Sequence, residues 1–248
     1  MNHQTWRIEE FEEIDSTNTW LTERAREGAS EGLVARADFQ RAGRGRLGRT
    51  WESSAGSALL CSILLRPPLA PDDLGIVVAA VALSARDALR RLVGLECTLK
   101  WPNDLVVGDR KLGGVLAEVV MAPSGVAVVV GLGLNLTAHG AQAIYATSVL
   151  EETGEVVSAR DVLDELLETL DVRRGWLDTA EGRVKVLAEW RDALSTLGRR
   201  VRVELVGDNF VGVAEDLDEH GALVTSVDGQ RRVVTYGDVV HLRVEPAT

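Results

Sequence analysis

Apolar residues recur at helical spacing in four segments of the chain. This spacing predicts helices over residues 18–27, 71–93, 158–176 and 184–194. Ser16 or Thr17 can cap the first helix, and Gly28 follows its last residue. Ser158 and Asp161 have the spacing of a capping box at the start of the third.

Shorter apolar runs between the helices predict strands. In the first part of the chain these runs cover residues 7–14, 32–39, 58–65, 97–101, 104–107, 112–120 and 125–134. After residue 198 the pattern changes to short strands separated by turn residues, at 201–206, 210–213, 222–227, 232–235 and 239–244. The change predicts a small all-β barrel at the C-terminal end, with a boundary near residues 195–198.

The composition indicates an ordinary globular protein. The chain has 248 residues, of which 46% are hydrophobic and 26% charged, which excludes a disordered or collagen-like chain. The longest mainly apolar runs, 74–85 and 126–136, are about half of the ~20 residues that a membrane helix needs. No secretory signal is apparent, and Cys61 and Cys97 form no CxxC pair, so we expect a cytoplasmic, reduced protein without a cysteine-built zinc site.

Positive charge is concentrated in one short segment. The net charge is −11, which disfavours binding to nucleic acid, and without the four arginines of residues 41–49 it would be −15. Lysine is scarce: the chain has only Lys100, Lys111 and Lys185. Two of these three flank one stretch of twelve residues.

The arginine-rich segment lies in a loop of residues 40–57, here called the arginine loop. It contains GRGRLG at residues 43–48, which formally matches a dinucleotide-binding motif. That interpretation requires a helix opening within the motif and an acid about twenty residues later, and neither is present. A flexible solvated loop and an anion-binding loop remain, because glycine amides and guanidinium groups both suit phosphate or carboxylate oxygens.

Two further motifs are candidates for chemistry. KWPND at residues 100–104 precedes KLGGVLAE at 111–118, which places Lys111 at the start of an apolar strand, facing either a pocket or solvent. GLGLN at 131–135 ends a valine-rich strand, and glycines there indicate close approach of another backbone or a ligand, or an ordinary turn.

These motifs, together with DSTN at residues 15–18 and QRAGRGRLGRTW at 40–51, resemble those of biotin protein ligases in order and spacing. The resemblance covers the chain from about Glu13 onward. It implies an α+β fold: a mixed β-sheet with flanking helices, like that of class II aminoacyl-tRNA synthetases, in residues 1–196, and an SH3-like domain in 197–248. Only about a dozen residues precede the first motif, so we expect neither the winged-helix module of some relatives nor DNA as a partner.

The resemblance also implies a reaction. Biotin and ATP, with Mg²⁺, would form biotinyl-5′-AMP, and a lysine of a biotin carboxyl carrier domain, such as that of acetyl-CoA carboxylase, would then take up biotin. A homodimer is left open.

The resemblance assigns roles to residues by their place in the motifs. Lys111 and Arg46 would be catalytic, through electrostatics. Biotin would be bound by Ser16, Thr17, Asn18, Gln40, Arg44, Gly45, Arg46, Lys111 and Gly114, with its tail near Val115 and Gly133. ATP or the adenylate would be bound by Arg44, Arg46, Arg49, Trp51, Asn103 and Asn135.

Some roles have alternatives. Trp51 would stack on adenine or anchor the core, and Asn135 would contact the ribose or cap the strand. Asp104 is the candidate Mg²⁺ ligand, and Glu118 is the other carboxylate considered.

Two other functions are weighed against this one. A lipoate ligase or octanoyltransferase of the same fold would handle an apolar acyl group without a ureido ring, and would not need the polar set of Ser16, Thr17, Asn18 and Gln40. A non-catalytic biotin or adenylate sensor could dispense with Lys111 and the arginine loop.

Overall fold

The computed structural model describes residues 5–68, 70–123, 125–138, 145–205 and 207–242. The helices found there are α1 Thr17–Arg26, α2 Leu74–Val93, α3 Val149–Thr153, α4 Ala159–Leu177 and α5 Ala180–Ala193. The strands of the first part are β1 Arg7–Ile14, β2 Leu33–Gln40, β3 Ala58–Leu65, β4 Thr98–Lys100, β5 Asp104–Val107, β6 Arg110–Ala122 and β7 Gly125–Asn135. Those of the last part are β8 Arg200–Leu205, β9 Asp208–Leu217, β10 Leu223–Val227, β11 Gln230–Val234 and β12 Asp238–His241.

The strands form two sheets. The first has seven strands in the order β1-β2-β3-β7-β6-β5-β4, with β1 and β2 parallel and the other neighbours antiparallel. The second is antiparallel, with the order β11-β10-β9-β8-β12. The predicted α+β fold, with a mixed sheet, flanking helices and a small β unit at the end, is confirmed.

The seven-stranded sheet is covered by helices on both faces. Helices α2, α4 and α5 share the large hydrophobic core on one face. Helix α1 packs on the other face, where Leu21 and Ala25 contact Leu64, Ala127 and Val129. Because α1 has only ten residues, it covers part of that face and leaves the rest beside its N-terminus for a cavity.

Capping residues set the helix boundaries. Ser16 and Ser158 begin α1 and α4 as predicted, each accepting a hydrogen bond from a backbone N–H three residues on. Helix α5 begins four residues before the predicted start, because the Thr179 side chain caps it. Residues 71–73 form a 3₁₀ turn before α2, and the five-residue α3 was not predicted because it is too short to show helical spacing.

The arginine loop is folded by its own hydrogen bonds rather than being structureless. Trp51 N donates to Gly43 O at 3.0 Å and Gly45 N donates to Arg49 O at 2.7 Å. A 3₁₀ turn at residues 46–48 reverses the chain, with Leu47 in the left-handed region at a φ of 54°. The loop is therefore a compact hairpin that carries its arginines on a defined backbone.

The C-terminal strands follow the predicted pattern, although β9 is longer than expected. The predicted strands 201–206 and 239–244 end at residues 206 and 243–244, which lie outside the described residues. The division of the chain into domains 1–196 and 197–248 stays a prediction.

Candidate active site

A cavity of about 290 Å³ lies between the α1 face of the large sheet, the arginine loop and strand β12. The side chains of Ser16, Thr17 and Asn18 reach it from the start of α1, where the chain leaves β1. Its other lining residues include Gln40, Arg44, Gly45, Arg46, Arg49, Trp51, Lys100, Asn103, Asp104, Lys111, Gly114, Val115, Gly131, Gly133, Glu204 and Asp238. The cavity thus brings together every predicted site residue except Asn135.

Neutral polar groups line one end of the cavity. Gln40 Oε1 accepts hydrogen bonds from Thr17 N at 2.7 Å and from Thr17 Oγ1 at 3.0 Å. Ser62, the only polar residue of β3 and fully buried, has its Oγ 2.7 Å from Thr17 Oγ1 and 2.5 Å from Asn18 Oδ1. Ser16 lines the cavity as well, but its Oγ caps α1. This end therefore offers donors and acceptors without net charge.

Glycines make the floor of the cavity. A Cβ at Gly131 would lie 2.2 Å from Asn18 Oδ1, and one at Gly133 would lie 2.4 Å from the Trp51 ring. The sequence predicts close approach of a backbone or a ligand at these glycines, and the structure instead places the Asn18 and Trp51 side chains flat on the sheet there. The Trp51 Nε1 is buried and has no hydrogen-bond partner among the described residues.

Lys111 lies near the start of β6, with its ammonium in the cavity. Its Nζ is 2.6 Å from Asp104 Oδ1 and 5.8 Å from the centre of the Trp51 ring. Strand β5 places Asp104 directly opposite Gly114 of β6, and the missing side chain of Gly114 leaves space for this ion pair. The fold thus fixes one cation between a carboxylate and an aromatic face.

The arginines of the loop are each paired with a carboxylate. Arg44 makes a two-point contact with Glu118, at 2.9 and 3.1 Å. Arg46 bonds to Asp238 Oδ1 at 3.3 Å and Arg49 to Asp238 Oδ2.

Arg46 is the least exposed of the three, and burial lowers the pKa of its guanidinium. Its Nη atoms also donate to Asn103 Oδ1 at 3.3 Å and Gly237 O at 3.1 Å. Asn103 in turn donates from Nδ2 to Val115 O at 2.7 Å. The arginine loop is thereby attached to both sheets.

Asn135 lies outside the cavity. It is buried, and its Nδ2 donates to Thr147 O at 3.0 Å. Of the two roles considered for Asn135, this geometry favours the structural one, at the end of β7.

Three residues of the site were missed or misjudged. Ser62 could have been found as the one polar residue in an apolar strand. Asp238 is 189 residues from Arg49, and nothing in the sequence links the two. The sequence suggests Glu118 only as a metal ligand, yet its partners are Arg44 and Asn18.

Two protein-family profiles match the chain. The profile of the "Biotin/lipoate A/B protein ligase family" matches residues 10–135, just over half of the chain, and that of the "Biotin protein ligase C terminal domain" matches residues 196–242. The chain belongs to the biotin protein ligase family. The resemblance carried by the motifs is thus confirmed.

Relatives with curated names match most of the chain. The biotin–[acetyl-CoA-carboxylase] ligase of Mycobacterium tuberculosis is 36% identical over 246 residues, covering 96% of this chain and 90% of that protein. The ligase of the same name from Paracoccus denitrificans is 33% identical, with 91% and 96% covered. The bifunctional ligase/repressor BirA of Escherichia coli is 32% identical, with 87% of this chain and 68% of that protein covered.

A solved structure is similar over nearly the whole chain. The biotin protein ligase of Aquifex aeolicus in complex with biotin and ATP has a TM-score of 0.81 and 26% identity, covering 96% of this chain and 99% of that one. Among the described residues, no helix is long and apolar enough to cross a membrane. Within the same residues, no group of three or more acidic, histidine or cysteine side chains could hold a metal ion.

Proposed function

We propose that the chain activates biotin with ATP to biotinyl-5′-AMP and transfers biotin to a lysine of a biotin carboxyl carrier domain. One observation carries this proposal: a single cavity joins a neutral polar end, at Thr17, Asn18 and Gln40, to a cationic end, at Lys111 and Arg46. The neutral end suits a ureido ring, and the cationic end suits a carboxylate and phosphates. The match to the ligase family supports the same reaction.

In the first step, an oxygen of the biotin carboxylate attacks the α-phosphorus of ATP and pyrophosphate leaves. Two unit charges at 4 Å repel by about 4 kcal/mol at an effective dielectric near 20. Arg46 and Lys111 reduce this repulsion, because their cationic groups are held in the cavity. Asn103 accepts a hydrogen bond from the Arg46 guanidinium, and Asp104 pairs with the Lys111 ammonium. Arg44 and Arg49 lie further out on the loop, where pyrophosphate would leave.

In the second step, the neutral amine of the carrier lysine attacks the acyl carbon and AMP leaves. The carbonyl oxygen becomes negative in the tetrahedral intermediate, and a fixed cation stabilises that charge without reorganisation. Lys111 fits this role as a compact point charge. Its ammonium is paired with Asp104, which holds it in the cavity, so it acts through its charge.

Selectivity for biotin follows from the polar end. Thr17 and Gln40 now bond to each other, and a ureido ring would take over some of these bonds. An acyl chain without such a ring would leave buried polar atoms unpaired, which is a strong basis for rejection. The tail of biotin would run over Gly114 and Val115 towards Lys111, beside Gly133 and the Trp51 ring that covers it.

The nucleotide would lie against Trp51. The ring is held on Gly133 by close contact, and Arg46, Arg49 and Asn103 surround the space beside it. Stacking of a base on an aromatic side chain contributes about 1–3 kcal/mol to the binding free energy.

Mg²⁺ would enter with ATP. Magnesium is usually held by one or two carboxylates together with phosphate oxygens, and Asp104 provides one carboxylate at the cavity. The ion would neutralise phosphate charge. Glu118 does not fit this role, because Arg44 and Asn18 occupy both of its oxygens.

The partner we propose is the biotin carboxyl carrier domain of a biotin-dependent carboxylase. The site requires ATP, so we place the enzyme in the cytoplasm, where both cysteines would remain the free buried thiols seen here. A homodimer stays a prediction, and light scattering with and without biotin would test it.

The proposal is tested by incubating the chain with ATP, Mg²⁺, labelled biotin and carrier domains. We expect biotin-dependent pyrophosphate release, followed by labelling of the carrier lysine. Adenylation of lipoate in place of biotin would instead indicate a lipoate ligase. Biotin binding without pyrophosphate release would indicate a sensor.

A further inference from the structure

Glu118 lies on β6 outside every role assigned above, and one of its oxygens joins two parts of the site. Its Oε2 accepts from Asn18 Nδ2 at 2.9 Å and from Arg44 Nη1 at 3.1 Å, while Oε1 pairs with Arg44 Nη2 at 2.9 Å. Asn18 belongs to the cavity floor, and Arg44 belongs to the arginine loop. Glu118 therefore joins Asn18 directly to Arg44 of the loop.

The orientation of Asn18 leaves little freedom in this link. Ser62 donates to Asn18 Oδ1 at 2.5 Å, so the Nδ2 end of the amide must face Glu118. Behind it, Gly131 allows the amide to lie directly on the sheet, at a distance that no side chain would permit. Asn18 is 4% exposed and cannot turn without leaving polar atoms unpaired.

Polar contacts of 2.5–3.1 Å form a chain that begins and ends in the arginine loop. It runs from Gln40 at the base of the loop through Thr17, Ser62 and Asn18 to Glu118, and returns to the loop at Arg44. The middle of this chain is the polar end where the ureido ring would bind. A ring bonded to Thr17 and Asn18 would add a further bond to the amide that orients Glu118 and Arg44.

We propose that Glu118 is a positioning residue that couples occupancy of the biotin pocket to closure of the arginine loop. This inference rests on the proposed function. A half-exposed ion pair alone contributes little, but here it is aligned by a buried amide and has two-point geometry. The consequence is retention of biotinyl-AMP, because a closed loop keeps the acyl phosphate away from water until the carrier arrives.

Glu118→Gln is the informative change, since glutamine keeps an acceptor for Asn18 but turns an N–H₂ group towards Arg44. With the carrier omitted, we expect the lifetime of enzyme-bound biotinyl-AMP to fall about fivefold, the upper range for such a pair. In the presence of biotin alone, amide hydrogens of residues 41–51 should exchange faster than in the wild type. Arg44→Ala should abolish any further effect of Glu118→Gln, because both act through one contact.

Arg41→Gln is the matched control. Arg41 lies in the same loop and pairs with Glu13 at 2.5 Å and Asp15 at 2.8 Å, away from the cavity. Its loss should leave adenylate lifetime unchanged.

An unchanged lifetime in Glu118→Gln, or an equal effect of this change with and without Arg44, would overturn the inference. If the wild type forms no adenylate at all, the proposed function fails instead, and the exchange experiment with biotin still tests the coupling.

Discussion

Lys111 and Asp104 illustrate how single residues gain a function from their neighbours. Alone, a lysine at a strand end is most often a solvated group. Here a glycine opposite Asp104 opens the space, and Trp51 covers the ammonium on another side. The scarce lysine is thus held as a fixed charge where two anions would meet.

Lys111→Ala should remove that charge and leave the polar end intact. We expect both half-reactions to slow by about 10²–10³-fold, the cost of losing one fixed charge-stabilising group, while biotin still binds measurably. Pyrophosphate release, transfer from preformed biotinyl-AMP and calorimetric biotin binding are the measurements. Lys185→Ala, an exposed lysine paired with Glu181 on α5, is the control. Wild-type turnover in Lys111→Ala would refute the role.

Gly133→Ala should displace Trp51. The new methyl group would lie 2.4 Å from the ring, so the indole must move away from the sheet. We expect the KM for ATP to rise about tenfold, because overpacking costs about 1–3 kcal/mol and each 1.4 kcal/mol corresponds to about a tenfold change. The KM for biotin should change less. Gly175→Ala, where nothing lies within 4 Å of the added atom, should leave both KM values unchanged. Equal effects on biotin and ATP would contradict a nucleotide role for Trp51.

At the scale of elements, buried charges connect the helices behind the sheet. Arg173 of α4 is 9% exposed and bonds to Asp87 of α2 at 2.6 Å and to Glu189 of α5 at 2.8 Å. Its Nη1 also donates to Ser84 Oγ at 3.3 Å. One arginine therefore joins the three helices that support the sheet from the face opposite the cavity.

Arg173→Met should lower the free energy of unfolding by about 3 kcal/mol, because the Asp87 carboxylate would lose its closest ion-pair partner. The melting temperature should fall by about 5–10 °C, while activity per folded molecule is retained. Arg160→Met, which removes an exposed i, i+4 pair with Asp164 on the same helix, should change stability by about 0.5 kcal/mol or less. Similar melting temperatures for the two variants would show that the three-helix link is not stabilising.

At the scale of the molecule, the C-terminal sheet is part of the cavity wall. Asp238 binds two arginines of the loop, and Trp101 beside the cavity donates from Nε1 to Gly221 O at 3.0 Å. Thr196 links the backbone of Trp101 to His241, with distances of 3.0 and 3.1 Å. The second sheet therefore helps to place the groups that the proposed chemistry uses.

Asp238→Asn should loosen Arg46 and Arg49 together. Arg46 keeps two other acceptors, but Arg49 loses its charged partner and regains rotamer freedom. We expect the KM for ATP to rise about fivefold, as for the loss of one ion pair, with the KM for biotin within about twofold. Asp208→Asn, which breaks an exposed pair with Arg232 in the same sheet, is the control. A change confined to biotin would contradict this role.

His241 should make stability fall at acid pH. Burial, with Lys100 and Arg199 nearby, lowers its pKa from 6.5 to about 4. Between these values the unfolded chain binds a proton that the folded chain does not, so stability decreases as pH falls from 6.5 towards 4. His241→Gln should flatten the melting temperature across this range. His220→Gln should not flatten it. Asp73 raises the pKa of His220, so the stability that this pair contributes is fully present below pH 6.5 and does not vary over this range.

Most strands and helices could be predicted, because hydrophobic spacing and capping residues act locally. Strand β3 has the predicted bounds, 58–65, since its run is apolar except for Ser62 and ends at polar or turn residues. Helix α3 and the extra turn of α5 were missed, because five residues show no period and the Thr179 cap lies outside the apolar pattern.

The fold class, the family and the residue types of the site follow from the sequence alone, since motifs and alternating polarity are properties of the chain. The pairing of the charges, in contrast, is seen only in the folded chain. Asp238 meets Arg46 and Arg49, and Glu118 meets Arg44 and Asn18, across 74 to 192 residues. Asn135 faces Thr147 instead of the cavity. Electrostatic and hydrogen-bond partners depend on distances in space, which spacing along the chain does not contain.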